Sequence, residues 1–372
     1  MADLLADVEE LVRCESPSAD LAAVARSADV VARVGERRLG VAPERLVLDG
    51  RTHLRWRLGT GPSRVLLLGH HDTVWPLGTL ATHPCTVTGG VLRGPGCFDM
   101  KAGLVLAMHA AAGRDGVTLL VTGDEELGSP SSRELVEDEA RAADAVLVLE
   151  ASAPGGALKT ERKGVSLYEV AVTGLAAHAG LEPERGVNAT VELAHQVLAV
   201  AALADPSWGT TVTPTVLTAG TATNTVPAAG AFAVDVRARN AAEQARVDAA
   251  MRALAPAVPG ARIRVTGGPN RAPLERTASA DLFALAASLA ERLGQPSLTG
   301  VAVGGGSDGN LTAGVGTPTL DGLGAIGGGA HADDEHVLVD ALPGRGALVA
   351  ALLDALLAGA TNDRPTSGAR RP

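Results

Sequence analysis

The sequence predicts an α/β protein built on a mostly parallel sheet flanked by helices, with an α+β domain of ferredoxin-like order inserted into it. Three observations lead there. Short apolar runs recur in the first half of the chain, RVLLLGHHD at 64–72, VTLLVTGDEE at 117–126 and AVLVLE at 145–150. A strand buried on both faces of a parallel sheet is apolar with little alternation. Helical patterns at 101–112 and 131–142 lie between these runs, and such alternation implies crossover connections that keep strands parallel. From about residue 165 the order changes to β-α-β-β-α-β, the order of a ferredoxin-like module.

Taken in order, residues 2–13 place apolar positions at helical spacing and stop before the breaker Ser16-Pro17-Ser18, which predicts an opening amphipathic helix. The three runs and two helices follow. The inserted module reads as a strand at 166–174, a helix at 187–203, strands at 210–220 and 229–238, a helix at 241–254 and a strand at 261–267. A helix at 279–293, a Gly-rich turn at 304–309, a short strand around 315–320 and a closing helix at 345–358 resume the first pattern. The expected division is a catalytic domain in two parts, 1–164 and 271–360, an inserted domain at 165–270, and a polar tail at 361–372 expected to be disordered.

Composition narrows the function. The chain has 372 residues, 46% hydrophobic, with seven aromatics and a formal net charge of −10; that length allows two or three domains and a sizeable core. An acidic balance argues against nucleic acid, whose binding needs a basic patch. The apolar stretch at 346–360 is interrupted by Asp354 and falls short of the ~20 residues of a spanning helix, so no membrane partner is expected. Cys14, Cys85 and Cys97 are too few and scattered for a disulfide framework. Acidic residues at the N-terminus stand where a signal peptide needs basic ones, which gives cytoplasmic location as the expectation.

Chemistry gathers where open α/β sheets place it, at the carboxyl ends of strands. In Gly69-His70-His71-Asp72 the alternation of an extended segment puts His70 and Asp72 on one side, making His70 a ligand candidate and Asp72 the acid that orients it. Asp99 closes the Gly-rich turn 94–96 and opens a helix, and Asp124-Glu125-Glu126 sets three carboxylates at the end of a buried strand, where cations are the simplest remedy for their burial. Glu150 ends the third run and His331 lies in GGGAHADDEHV. These residues supply two imidazoles (His70, His331) and three carboxylates (Asp99, Glu126, Glu150). Two zinc ions sharing one bridging carboxylate would each reach three protein ligands, leaving Glu125 as general base for a water. Co2+ or Mn2+ would suit the same His/carboxylate set. Gly322 to Gly327 matches the dinucleotide fingerprint GxGxxG in form, but no helix pattern follows it.

The segments GHHDTVWPLGTLA, GPGCFDMKAGL, TGDEELGS, LVLEAS, GLAAHAGLEPERGVNA and GGGAHADDEHV are similar, in order and spacing, to the motifs of the M20 co-catalytic metallopeptidases. The chain most resembles their glutamate carboxypeptidase branch, related to acetylornithine deacetylase and succinyl-diaminopimelate desuccinylase. The resemblance implies a zinc-peptidase-like fold whose inserted domain is a lid and dimerisation surface in a homodimer. It also implies His70 and Glu150 on one zinc, His331 and Glu126 on the other, Asp99 bridging, Asp72 orienting His70, and Glu125 as base. His178 would reach the second subunit's site and stabilise the oxyanion. Arg237 matches a position that grips the substrate carboxylate, Asn224 resembles a lid residue that helps to hold substrate, and Gly305, with Gly306 and Ser307, is expected to offer backbone donors. His71 and the pair Cys97-Phe98 depart from the usual pattern without removing a ligand. The expected activity is cleavage of an amide bond next to a free carboxylate, on a small peptide or an N-acyl amino acid. It releases a C-terminal amino acid such as glutamate, or removes an acyl group in the manner of acetylornithine deacetylase. Glu rather than Asp at position 150 favours a substrate with a free α-carboxylate.

Overall fold

The computed structural model describes residues 2–359, so the expected disordered tail lies outside the described residues. The chain forms two compact units. The first takes in residues up to Thr160, then Arg276–Ala302 and the chain from Ser307; the second comprises Glu161–Glu275 and Val303–Gly306.

The first unit opens with α1 (Ala2–Val12) and α2 (Leu21–Leu39). Asp20 caps α2 by accepting from the Ala23 amide, and Gly40, in the left-handed region, closes it with a bond to the Glu36 carbonyl. Next come β1 (Glu44–Leu48), β2 (Arg51–Leu58), β3 (Val65–His70), α3 (Ala102–Ala111), β4 (Val117–Thr122), α4 (Arg133–Ala142) and β5 (Ala145–Val148). The apolar runs thus become β3, β4 and β5. Helix α2 and strands β1 and β2 were not foreseen, since Arg and His interrupt RTHLRWRL and hide its strand period.

The second unit holds β6 (Gly164–Thr173), α5 (Ala189–Ala201), β7 (Thr211–Ala219), β8 (Ala229–Ala238), α6 (Ala241–Arg252) and β9 (Arg262–Arg271). Its sheet runs β7-β8-β6-β9, antiparallel throughout. Tyr168, Val170 and Val172 of β6 and Phe232, Val234 and Val236 of β8 form one core with Leu193 of α5 and Val247 of α6. Alternate residues supply the core, as a sheet covered on one face requires. The segment Val303–Gly306 belongs here rather than with the first unit, because the Lys163 amide bonds the Val303 carbonyl and the Arg162 guanidinium holds the carbonyls of Gly305 and Gly306.

The chain then completes the first unit with α7 (Arg276–Arg292), α8 (Asp308–Gly314), β10 (Thr319–Leu320) and α9 (Leu342–Gly359). The strand order is β1-β2-β4-β3-β5-β10. The pairs β4–β3, β3–β5 and β5–β10 are parallel, while β1 and β2 form an antiparallel margin. Leu67, Leu119 and Leu147 face a core built with α3, α7 and α9, and Leu66, Leu68, Leu120, Val146 and Val148 face a second core closed by α4 and α8. Burial on both faces is why these strands read as unbroken apolar runs. Counted from Val339, the last helix is long and apolar enough to cross a membrane by length and composition, contrary to the reading of residues 346–360. In the fold its Leu348, Val349, Leu352 and Leu353 are buried in the first core.

One close approach positions the site. A Cβ on Gly103, in α3, would meet the Leu149 carbonyl oxygen at 2.0 Å, and one on Gly324 would meet it at 2.2 Å. The backbone leading into Glu150 is therefore pinned between a helix and a loop that both require glycine there. Gly103→Ala is expected to destabilise the chain by at least about 2 kcal/mol, because the obstacle is backbone that cannot rotate away. A urea midpoint equal to that of the wild type would show that the helix can shift instead.

Candidate metal centre

Because β3, β4 and β5 are parallel, their carboxyl ends open on one edge, and the acids and histidines that follow them converge there. His70 is the last residue of β3. Its Nδ1 lies 3.0 Å from the Asp72 carbonyl, which can only accept, so a proton stays on Nδ1 and Nε2 is the ring atom left to bind a cation in place of its own proton. The Asp72 carboxylate, fully buried, stands 3.4 Å from the same Nδ1. It also accepts from Ser18 Oγ at 2.6 Å and from the Glu125 and Glu126 amides at 3.3 and 3.2 Å. One acid thus orients the imidazole and holds the turn Glu125–Leu127.

His70 Nε2 lies 3.4 Å from Asp99 Oδ1 and 3.4 Å from Glu150 Oε1. His331 Nε2 lies 3.3 Å from Asp99 Oδ2 and 3.2 Å from Glu126 Oε1. Two triads, His70-Asp99-Glu150 and Asp99-Glu126-His331, each gather their ligand atoms within 4.8 Å and share Asp99. His331 takes φ 61°, a left-handed conformation uncommon for a residue with a side chain.

The electrostatics ask for positive charge. Burial drives the His70 imidazole down, but Asp72, Asp99 and Glu150 outweigh it and hold the group well above its ordinary range. Asp99 and Glu126 lift His331 to about 10. Burial opposes ionisation of Asp99, yet the two imidazoles hold it far below the usual carboxylate range, while burial keeps Glu126 above it. Among the described residues, His70 Nε2, Asp99 Oδ1 and Glu126 Oε1 are buried with no hydrogen-bond partner. Such atoms are costly unless something satisfies them. Divalent cations, one per triad, fit these atoms and this donor set.

A residue absent from the sequence reading organises the carboxylate shared by the two triads. The buried Glu335 carboxylate accepts from the amides of Gly96, Phe98 and Asp99 at 2.9, 2.9 and 3.0 Å and from Trp75 Nε1 at 2.6 Å. It clamps the turn that delivers Asp99. Its only sequence signal was an acid four residues after His331, masked by its neighbours Asp333 and Asp334.

Four further candidates lie in the second unit. His178 pairs with Thr225 in a short ladder, is exposed, and accepts from the Gly180 amide at Nδ1, 3.1 Å. Asn224 precedes that ladder and its carbonyl accepts from the Ala179 amide. Arg237 makes two 2.8 Å bonds to Asp235. The Gly305 carbonyl accepts from Arg162.

Residues 66–355, more than half of the chain, match the family described as Peptidase family M20/M25/M40. The chain belongs to that family. It is 34% identical to Carboxypeptidase G2 of Pseudomonas sp. (strain RS-16) over 297 residues, 75% of this chain and 71% of that one. The M20 fold is seen in two solved structures of low identity. An M20 family metallo-carboxypeptidase from Sulfolobus solfataricus has a TM-score of 0.73 at 15% identity, over 96% of this chain and 99% of that one. A dinuclear metal-binding M20 peptidase from Bacillus subtilis has a TM-score of 0.65 at 15% identity, over 96% and 98%. As an M20 member, the chain is a hydrolase acting on peptide or amide bonds.

Proposed function

We propose that the chain is a two-metal hydrolase that cleaves an amide bond adjacent to a free carboxylate, releasing a C-terminal amino acid such as glutamate. The observation that carries this reading is the pair of triads sharing Asp99, with a buried, unsatisfied atom on His70, Asp99 and Glu126. His70, Glu150 and Asp99 would hold one cation, and His331, Glu126 and Asp99 the other, with zinc the first choice and Co2+ or Mn2+ as substitutes. Bound there, the cations would polarise the scissile carbonyl and lower the pKa of the attacking water.

The remaining chemistry belongs to side chains. Glu125, outside both triads, takes a proton from the attacking water and hands it to the leaving amine. Asp72 steadies this base through the Glu125 amide while it holds the His70 ring. His178 from a second copy donates to the oxyanion: because its Nδ1 accepts from Gly180, the proton is on Nε2, the form a donor needs. The second unit offers a surface for that dimer, since Val191 and Leu198 of α5 and Val216 and Leu217 of the edge strand β7 are exposed. Arg237 grips the substrate carboxylate in exchange for Asp235, assisted by Asn224 and by backbone donors around Gly305.

Similarity to Carboxypeptidase G2 supports carboxypeptidase action over deacylation, which sets peptidyl or folyl glutamates against N-acetyl amino acids as the two classes to compare. A paired assay of the metal-loaded enzyme on the two classes tests this: preference for the N-acetyl compounds would make the chain a deacylase, and no turnover of either would overturn the reading. Glu335→Gln is expected to weaken metal binding by about 10–100-fold, the usual effect of losing a group that orients a ligand. Chelator competition reads that affinity, and an unchanged value would reduce Glu335 to a loop tether.

A further inference from the structure

Away from the metal ligands, the first unit contains a cavity of about 260 Å3 between the turn Pro154–Gly156, the segment Gln295–Thr299, Ile326 and the first turn of α9. No proposed ligand lines it. Arg345, which does, is 3% exposed. Its Nη2 donates to the Gly156 carbonyl at 2.6 Å, while Nη1 is buried with no hydrogen-bond partner. No acid offsets its charge among the described residues: burial alone acts on the guanidinium and pushes it down to about 10. Asp340, the acid on the lining, is exposed to solvent.

A buried cation without a counter-charge is costly, and one placed at the start of an 18-residue helix adds to the positive end of that helix's dipole. Both features call for an anion. The rest of the lining is an apolar wall of Leu298 and Ile326 with the hydroxyls of Ser297 and Thr299. A guanidinium recognises carboxylate and phosphate alike, but the volume and the apolar wall suit an anion carried on a compact organic body.

We propose that this cavity is a binding site for a small monocarboxylate with an apolar body, its carboxylate held by Arg345 and its body seated on Leu298 and Ile326. The site is separate from the metal centre and does not depend on which amide that centre cleaves.

Calorimetric titration of the metal-loaded full chain with benzoate, and separately with inorganic phosphate, tests it. Saturable benzoate binding is expected, weakened at least tenfold by Arg345→Gln. It should also be lost in Ser297→Trp, which fills the cavity from an exposed position, and be unchanged in Asp99→Ala, which disrupts only the metal centre. If Arg345→Gln does not fold, the serine variant still decides the matter. Phosphate binding with the same dependence and no benzoate binding would overturn the organic carboxylate. No binding up to about 10 mM, or equal binding by the arginine variant, would overturn the site and leave Arg345 as a tether for Gly156.

Discussion

Glu125→Gln is expected to lower kcat by about 10²–10⁴-fold, the usual worth of a positioned general acid–base, with two metal ions per chain retained. The isosteric amide keeps the backbone bond from residue 125 to Asp72 that sets the turn. It removes only the carboxylate proposed to take and return the proton. Because Glu125 belongs to neither triad, elemental analysis should find the metal content of the wild type, and KM should change far less than kcat. A variant that kept most of its activity would show that another group is the base. A variant that lost metal together with activity would make Glu125 a ligand.

Asp99→Ala is the second large effect, and it acts through the opposite quantity. Asp99 is common to both triads, 3.4 Å from His70 and 3.3 Å from His331, so its loss would take one ligand from each proposed cation at once. Stoichiometry should fall from two metals to one or fewer. Activity should drop by roughly 10³-fold or more, since the several kcal/mol a metal centre contributes translate at about 1.4 kcal/mol per tenfold. Chelation of the wild-type enzyme should do the same, reversed by zinc, cobalt or manganese. The sign of the pH effect follows from His331, held at about 10 in the cation-free chain by Asp99 and Glu126. A cation must displace that proton, so affinity should rise by about tenfold per pH unit per proton displaced as pH increases through neutrality. Affinity independent of pH would show that His331 is not a ligand. An Asp99→Ala variant with two tightly bound metals would disprove the bridge.

The legible parts of the fold are those whose environment is uniform. Leu66, Leu67 and Leu68 are all buried because β3 lies inside a sheet covered on both faces, and such a strand announces itself as a run. The Tyr168-Val170-Val172 alternation is just as plain, since one face of β6 packs and the other does not. Strands β1 and β2 were missed because an antiparallel margin carries Arg45, Arg51, Arg55 and Arg57, whose charges break both patterns. Within the site, each candidate ligand ended or followed a recognisable strand or glycine turn. Glu335 did not, because the groups it holds, the amides of Gly96, Phe98 and Asp99, carry no signature in the sequence.

By itself, the sequence determined the class of the sheet, the insertion of a second module, the membership implied by six ordered motifs and the inventory of ligand-type side chains. Those properties reside in residue type and in spacing along the chain, and both survive without coordinates. Only the tertiary structure decided that Asp99 lies between two imidazoles, that Asp72 serves the His70 ring and the Glu125 turn together, that Gly103 and Gly324 pin the backbone before Glu150, and that Arg345 is buried without an acid. Each of these depends on distances between groups tens to hundreds of residues apart, and those distances are set by how the elements pack.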